Sequence, residues 1–193
     1  RDCSMQRRNQ KVIEETPAPD LSPAMRQALL DTAVKLGKAI GYQSAGTVEF
    51  IFDPVQQQFY FLEVNTRLQV EHGITEEVTG VDLVEQMIRV ANGEPLPFAQ
   101  KDLKIHGWAM ETRIYAEDPE RNFMPSPGVI KSCHMPGGPG VRVDSHLYSG
   151  YSIPPFYDSL IAKVISYGAD RAEALARMRV ALDETVVDGI RSN

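Results

Sequence analysis

The sequence predicts an α+β fold, and three observations carry that prediction. Residues 45–53, 58–71 and 105–116 show strand alternation with β-branched and aromatic side chains. Residues 22–41 and 82–91 repeat apolar residues at helical spacing. After Gly93 the composition shifts to proline- and glycine-rich connections (PSPG, PGGPG, PP) between short strands. With 193 residues, 42% of them hydrophobic, the chain has enough apolar material for one large domain or two small ones.

In chain order, KVIEETPAP (11–19) begins as a short strand and ends in a proline-punctuated loop. Ser22 is a good N-cap and Pro23 suits the first helical position. Leu29, Ala33, Leu36 and Ile40 then form one helical stripe, and Gly41 is a suitable stop. Strands at 45–53 and 58–71 are joined by the turn-like DPVQQ. A second helix spans about Asp82 to Ala91, with Leu83, Val84, Met87 and Ile88 as its apolar face. Beyond the strand at 105–116, short strands fall near 128–135, 140–147 and 160–167. The last helix opens at Asp170, three residues before Glu173 as in a capping box, and turns Leu175, Met178 and Leu182 inward.

The formal net charge is −6 and no Lys/Arg cluster recurs, which argues against nucleic acid or anionic lipid as partner. No apolar run approaches the 18 or so residues of a membrane span. Cys3 and Cys133 lie far apart in no ligand motif, so they read as free thiols in a reducing compartment, the cytoplasm or its equivalent. The chain begins at Arg1 without Met and stops just after a helical pattern, so both ends read as cut from something longer.

The chemistry concentrates in EFIFDPVQQQFYFLEVNTRLQVEH, residues 49–72. A hairpin whose turn centres on Gln56 sets Glu49 opposite Glu63, with Cβ atoms about 5 Å apart. Two carboxylates so placed repel unless a cation lies between them. Hard divalent cations favour one or two carboxylates plus phosphate oxygens, so the pair reads as a metal bridge to a nucleotide. From Glu63 onward, Asn65, Arg67, Gln69 and Glu71 continue on one strand face. Fully extended, that row spans about 27 Å, so it must bend to converge on one site. A solvated strand would alternate in the same way, and the periodicity alone does not separate the two readings.

A wider pattern does. RDCSMQRRNQKVIEE (1–15), AGTVEF (45–50), FLEVNTRLQVEH (61–72), ETRIYAEDP (111–119) and PSPG (125–128) together resemble biotin carboxylase, in that family's order and spacing. Such an ordered set is far more specific than one short motif. The resemblance implies the C-terminal part of an ATP-grasp domain over 1–95, followed by a β-rich biotin carboxylase C-terminal domain over 96–193. It implies divalent-metal ligands (Mg²⁺ or Mn²⁺) at Glu49, Glu63 and Asn65, and nucleotide contacts at Gln6, Glu49, Ile51 and Glu63. Bicarbonate or biotin contacts are implied at Lys11, Arg67, Gln69, the Val70 amide and Arg113. Glu71 matches the general base toward bicarbonate, and Arg113 the cation that stabilises the biotin enolate. Arg142 falls in the implied homodimer interface.

The resemblance further implies ATP as substrate, biotin on a carrier protein or domain, and a carboxyltransferase as partner. The GWAMETRIYAEDP stretch leans toward acyl-CoA carboxylases of the acetyl- or propionyl-CoA type, in the cytoplasm or mitochondrial matrix. Three positions depart from the family pattern. Asn9 stands where many members have His, Pro139 replaces an aromatic, and Gly73 stands where Pro is common, which suggests a looser loop behind Glu71.

Other conspicuous residues have plainer readings. His72, His106, His134 and His146 show no metal-ligand spacing. Trp108 reads as core, and PGGPG as a turn, since it lacks the Lys-Ser/Thr of a phosphate loop. Asp158 reads equally as a neighbour of the active site or as a turn cap. No glycine-rich phosphate lid precedes Glu49, so the 193 residues alone read as inactive. Two alternatives stay open: a dimerisation or interaction module, and another ATP-grasp ligase, which would have no need of RLQVEH together with Arg113.

Overall fold

The structure is a computed structural model that describes residues 1–193. Residues 1–17 and 106–193 form one compact unit, and residues 18–105 form another. Family boundaries suggest a division into 1–95 and 96–193; in the structure, residues 1–17 are part of the same unit as the C-terminal strands.

The first unit is built on a five-stranded antiparallel sheet. Its strands are β1 (Asp2–Arg7) and β2 (Gln10–Thr16), then β5 (Trp108–Tyr115), β6 (Val141–Ser145) and β7 (Leu160–Gly168). The spatial order is β1-β2-β5-β7-β6. Sequence reading finds β2 but not β1, because the connecting Arg8-Asn9 lacks the glycine that usually marks a two-residue turn. Both turn residues take positive φ, 50° and 66°, as a primed turn requires. Asparagine tolerates that region well, which gives Asn9 a structural reason.

Alternation sorts the central strands into two faces. Met110, Ile114, Ala162 and Val164 point to one face and pack with Ala174, Met178 and Ala181 of helix α4 (Arg171–Glu184). The opposite face carries Glu14, Glu111, Arg113 and Lys163, each at most 8% exposed. A buried charged face is costly unless its members neutralise one another. The neutralising contacts run between strands: Arg113 Nη2 pairs with Glu14 Oε1, and Lys163 Nζ lies 3.1 Å from Asp144 Oδ2. Arg113 faces Lys163 and Glu14 faces Glu111 as like-charged neighbours.

α4 opens as its sequence suggests, with the Asp170 side chain accepting from Glu173 N at 2.9 Å. Glu173 reaches back to Ala169 N rather than to the cap residue's own N–H. Its buried face is Ala174, Met178 and Ala181, whereas Leu175 is exposed, one step off the expected stripe. The strands expected at 128–135 and 140–147 are shorter and interrupted. Residues 128–129 pair with 152–153, and 132–134 with 186–188. PGGPG is a turn: Gly140 has φ +73°, and a Cβ there would come within 2.6 Å of Tyr167 O.

In the second unit, helix α1 (Pro23–Ala39) starts at Ser22, whose hydroxyl accepts from Met25 N at 3.2 Å. Strands β3 (Thr47–Asp53) and β4 (Gln58–Asn65) form a hairpin. Asp53 Oδ1 closes its turn by accepting from Val55 N and Gln56 N. β4 ends at Asn65, not at residue 71 as the alternation suggested. Helix α2 (His72–Thr79), absent from the sequence reading, follows, and α3 (Leu83–Ala91) is capped by Asp82. No helix is long and apolar enough to cross a membrane.

Candidate active site

The β3–β4 hairpin sets Glu49 opposite Glu63 and Thr47 opposite Asn65. On the turn side the register is different: Phe50 faces Phe61, Ile51 faces Tyr60, and Asp53 faces Gln58. Continued without interruption, that register would set Leu62 opposite Glu49. A bulge at Leu62 inserts one residue and brings Glu63 into line instead. The expected pairing therefore holds at the carboxylates and fails by one residue at the turn. Bulges of this kind re-aim side chains, and here the bulge selects which residue meets Glu49.

The two carboxylates converge. Asn65 Nδ2 donates to Glu49 Oε1 at 3.1 Å and to Glu63 Oε1 at 2.9 Å. Gln69 Nε2 donates to the same Glu49 oxygen at 2.5 Å. Arg67 Nη2 reaches Asn65 Oδ1 at 3.3 Å, and its Nη1 reaches Leu68 O at 3.2 Å. Because the strand ends at Asn65, the chain turns and returns the Gln69 amide to the pair, as the length of an extended row requires.

Glu71 is 1% exposed and sits at the N-terminal boundary of α2. The helix is tied to the preceding turn through His72, whose N–H and Nδ1 lie 3.2 and 2.9 Å from Gln69 O. Gly73 does not loosen a loop, because it is a buried residue in the first turn of α2. Ile51, two residues along β3 from Glu49, is 55% exposed.

A divalent cation can be tested against this donor set. Glu49 and Glu63 place oxygens around one shared point, the requirement for a hard ion that takes one or two carboxylates. That point is now met by an amide nitrogen, and turning the Asn65 side chain about its last bond would present Oδ1 instead. The residues therefore fit the ion implied by the sequence. No cluster of three or more His, Cys, Asp or Glu side chains offers a different metal site.

The remaining expected residues belong to the first unit. Gln6 and Lys11 are direct partners across the β1–β2 hairpin. Gln6 Nε2 donates to Cys3 O at 2.8 Å. Arg113 is 8% exposed on the charged face. Its Nη2 forms an ion pair with Glu14 Oε1, and its Nε lies 3.9 Å from Glu111 Oε1. Arg142, on edge strand β6, grips Asp144 with both Nε (2.9 Å) and Nη2 (3.0 Å). Burial pushes the Asp144 carboxyl up, but hydrogen bonds from Arg142 and Lys163 outweigh it and hold the group below its ordinary value.

Sequence reading assigned no role to Tyr115, although it lies two residues from Arg113 on the same face. Its hydroxyl donates to Lys11 O at 2.9 Å. Burial pushes this phenol above its ordinary value, against the opposing pull of Arg113. Asp158 accepts from Leu160 N at 2.8 Å, so it caps its turn. Trp108 is partly buried against the core, and its indole N–H donates to Glu15 Oε2 at 2.8 Å.

Comparison with known proteins matches residues 1–99 to the ATP-binding domain of the carbamoyl-phosphate synthase L chain, and residues 111–193 to the biotin carboxylase C-terminal domain. Biotin carboxylase of Pseudomonas aeruginosa is 61% identical over the whole chain, which covers 42% of that relative. The mitochondrial propionyl-CoA carboxylase alpha chain of Mus musculus is 55% identical, with 27% of its length covered. Among solved structures, the biotin carboxylase domain dimer of Hydrogenobacter thermophilus 2-oxoglutarate carboxylase superposes with a TM-score of 0.96 at 48% identity. That structure holds MgADP, ADP and bicarbonate, and the match covers 99% of this chain and 42% of that one. The chain thus spans less than half the length of these relatives.

Proposed function

We propose, from the premise that this chain belongs to the biotin carboxylase family, that it forms part of an enzyme that carboxylates biotin with ATP and bicarbonate. The observation that carries this reading is the bulge-selected pair Glu49–Glu63, joined by Asn65 and Gln69 and followed at once by Arg67 and the buried Glu71. A purely structural hairpin gains nothing from two opposed carboxylates.

Glu49, Glu63 and Asn65 would hold a divalent ion against the nucleotide, with Ile51 contributing to the nucleotide site; the family resemblance assigns Gln6 a nucleotide contact as well. The ion, when bound, offsets charge on the transferring phosphoryl group. Arg67 offers a planar fork of N–H donors suited to bicarbonate, joined by Gln69 and the Val70 amide; the family resemblance assigns Lys11 a bicarbonate or biotin contact as well. Glu71, held away from bulk water, accepts the bicarbonate proton. The bicarbonate oxygen then attacks the γ-phosphorus and ADP departs, leaving carboxyphosphate. Carboxyphosphate then breaks its C–O(P) bond to release CO₂ and phosphate, and the phosphate takes the N1 proton of biotin. Arg113 stabilises the resulting ureido enolate, whose N1 bonds to the CO₂ carbon.

The biotin arrives on a carrier protein or domain, and a carboxyltransferase takes the product onward. The whole enzyme dimerises through the C-terminal domain near Arg142, and works in the cytoplasm or mitochondrial matrix. Its acceptor is an acyl-CoA of the acetyl or propionyl type. The experiment is ATP-dependent transfer of labelled bicarbonate to free biotin by the full-length protein. Label in biotin, with ADP formed only when bicarbonate is present, supports the reading. ATP hydrolysis indifferent to bicarbonate, with no label transferred, overturns it.

A further inference from the structure

We propose that Tyr115 is a positioning residue that couples two substrate-binding side chains, its hydroxyl fixing the Lys11 backbone from a place two residues along β5 from Arg113, on the same strand face. The inference rests on the roles proposed above for Lys11 and Arg113, and adds a residue that touches neither substrate.

The geometry leaves the hydroxyl little freedom. Tyr115 ends β5 and is 2% exposed, so its ring cannot swing away without opening the sheet. The single O–H proton is committed to Lys11 O. The donor role needs the phenol protonated, and burial favours that form. Arg113 is also held by Glu14 of β2, a carboxylate 1% exposed. Arginine has several rotatable bonds, and a buried carboxylate partner beside a buried phenol reduces its conformers toward one. Lys11 and Glu14 lie on the same strand, so one tyrosine ties that strand's substrate residue to the neighbouring strand's cation.

The alternative is that the hydroxyl merely satisfies a buried carbonyl. The two roles give different kinetics. A purely structural contact lowers the amount of active enzyme and leaves every KM unchanged. A positioning contact alters the response to bicarbonate and biotin while the response to ATP stays as it was. Misplacement of a catalytic group by about 1 Å can cost on the order of a hundredfold.

The test uses the full-length enzyme with free biotin as acceptor and compares Tyr115→Phe, Glu14→Gln, Lys11→Ala and Arg113→Ala. Tyr115→Phe is expected to lower kcat/KM for biotin roughly tenfold or more and to raise the KM for bicarbonate, with KM for ATP within about twofold of the parent. Glu14→Gln is expected to reproduce the biotin defect, and carries the test of the Arg113 clamp should Tyr115→Phe fail to fold. Unchanged KM values for bicarbonate and biotin in Tyr115→Phe, or a normal biotin response in Glu14→Gln where the first variant does not fold, overturn the proposal. If Arg113→Ala and Lys11→Ala are crippled while Tyr115→Phe behaves as the parent, only the positioning role falls. If Arg113→Ala and Lys11→Ala themselves behave as the parent, the underlying functional reading fails instead.

Discussion

Replacing Glu63 by Gln should have opposite effects on the protein with and without a divalent ion, and the size of each follows from the hairpin. Glu49 and Glu63 are direct cross-strand partners, which sets their Cβ atoms about 5 Å apart. Two unit charges at that distance repel by roughly 1 kcal/mol in bulk water and by about 3 kcal/mol at an effective dielectric near 20. Glu63 is exposed and Glu49 half-buried, so the lower part of that range applies. Without metal, Glu63→Gln removes this repulsion and keeps an oxygen for the Asn65 amide, so the variant should be the more stable. About 1 kcal/mol corresponds to roughly 2–4 °C in a domain of 150–250 residues, and less in a longer protein.

With Mn²⁺ and ADP the order should reverse. A ligand at a hundred times its Kd adds about 2.7 kcal/mol to the parent. Each tenfold loss of affinity after removing one carboxylate takes back about 1.4 kcal/mol. The assay is calorimetric melting of the full-length parent and variant at low salt, first in chelator and then with Mn²⁺–ADP. Equal ion-induced shifts in the two proteins, or a variant less stable in chelator, would refute the argument that these carboxylates share an ion.

Three further outcomes are expected. Glu71→Gln keeps shape but removes the proton acceptor, so biotin carboxylation should fall about 10²- to 10⁴-fold with ATP affinity little changed, read from initial rates against ATP. Arg67→Ala removes an anion-binding fork, so the bicarbonate concentration needed for half-maximal ATP hydrolysis should rise at least about tenfold, read from a bicarbonate titration. Asp144, whose pKa is lowered in the folded protein, contributes stability above its unfolded pKa, and that contribution disappears as pH falls through the folded value. Asp144→Asn should therefore lower the melting temperature at neutral pH and lose that difference in acid, below the ordinary carboxylate range.

What the sequence disclosed and what it hid have separate physical causes. Helix starts were legible because capping is local: Ser22, Asp82 and Asp170 each accept from the backbone N–H three residues on. The Glu49–Glu63 pairing was legible from symmetry about a turn, although the Leu62 bulge shifts the turn-side register by one residue. Helix α2 was hidden because HGITEEVT is short, contains glycine and has β-branched residues, so its formation depends on burying Ile74 and Val78. The Leu175 error came from following residue size. The sheet instead meets the small Ala174 and Ala181, which let α4 approach closely. The Tyr115 contacts were hidden because they join strands far apart in sequence, and no local pattern reports which residue pairs with β2.

The attachment of residues 1–17 to the far C-terminal sheet has a consequence for how the chain is made. β2 emerges from the ribosome with one edge paired to β1 and the other bare, since its partner β5 follows only after the second unit has been synthesised. At bacterial or eukaryotic elongation speeds of about 5–20 residues per second, that delay lasts several seconds, long compared with hairpin formation in about 1–10 μs. During the interval an open strand edge is available to other chains. The Ser4 backbone N–H and the Gln6 side chain bond locally to Asp2 and Cys3, whereas Arg7 at the end of β1 pairs with Glu117, a contact that must wait for the C-terminal residues. The nascent hairpin thus waits as a half-completed template, and the arrival of β5, β7 and α4 closes it.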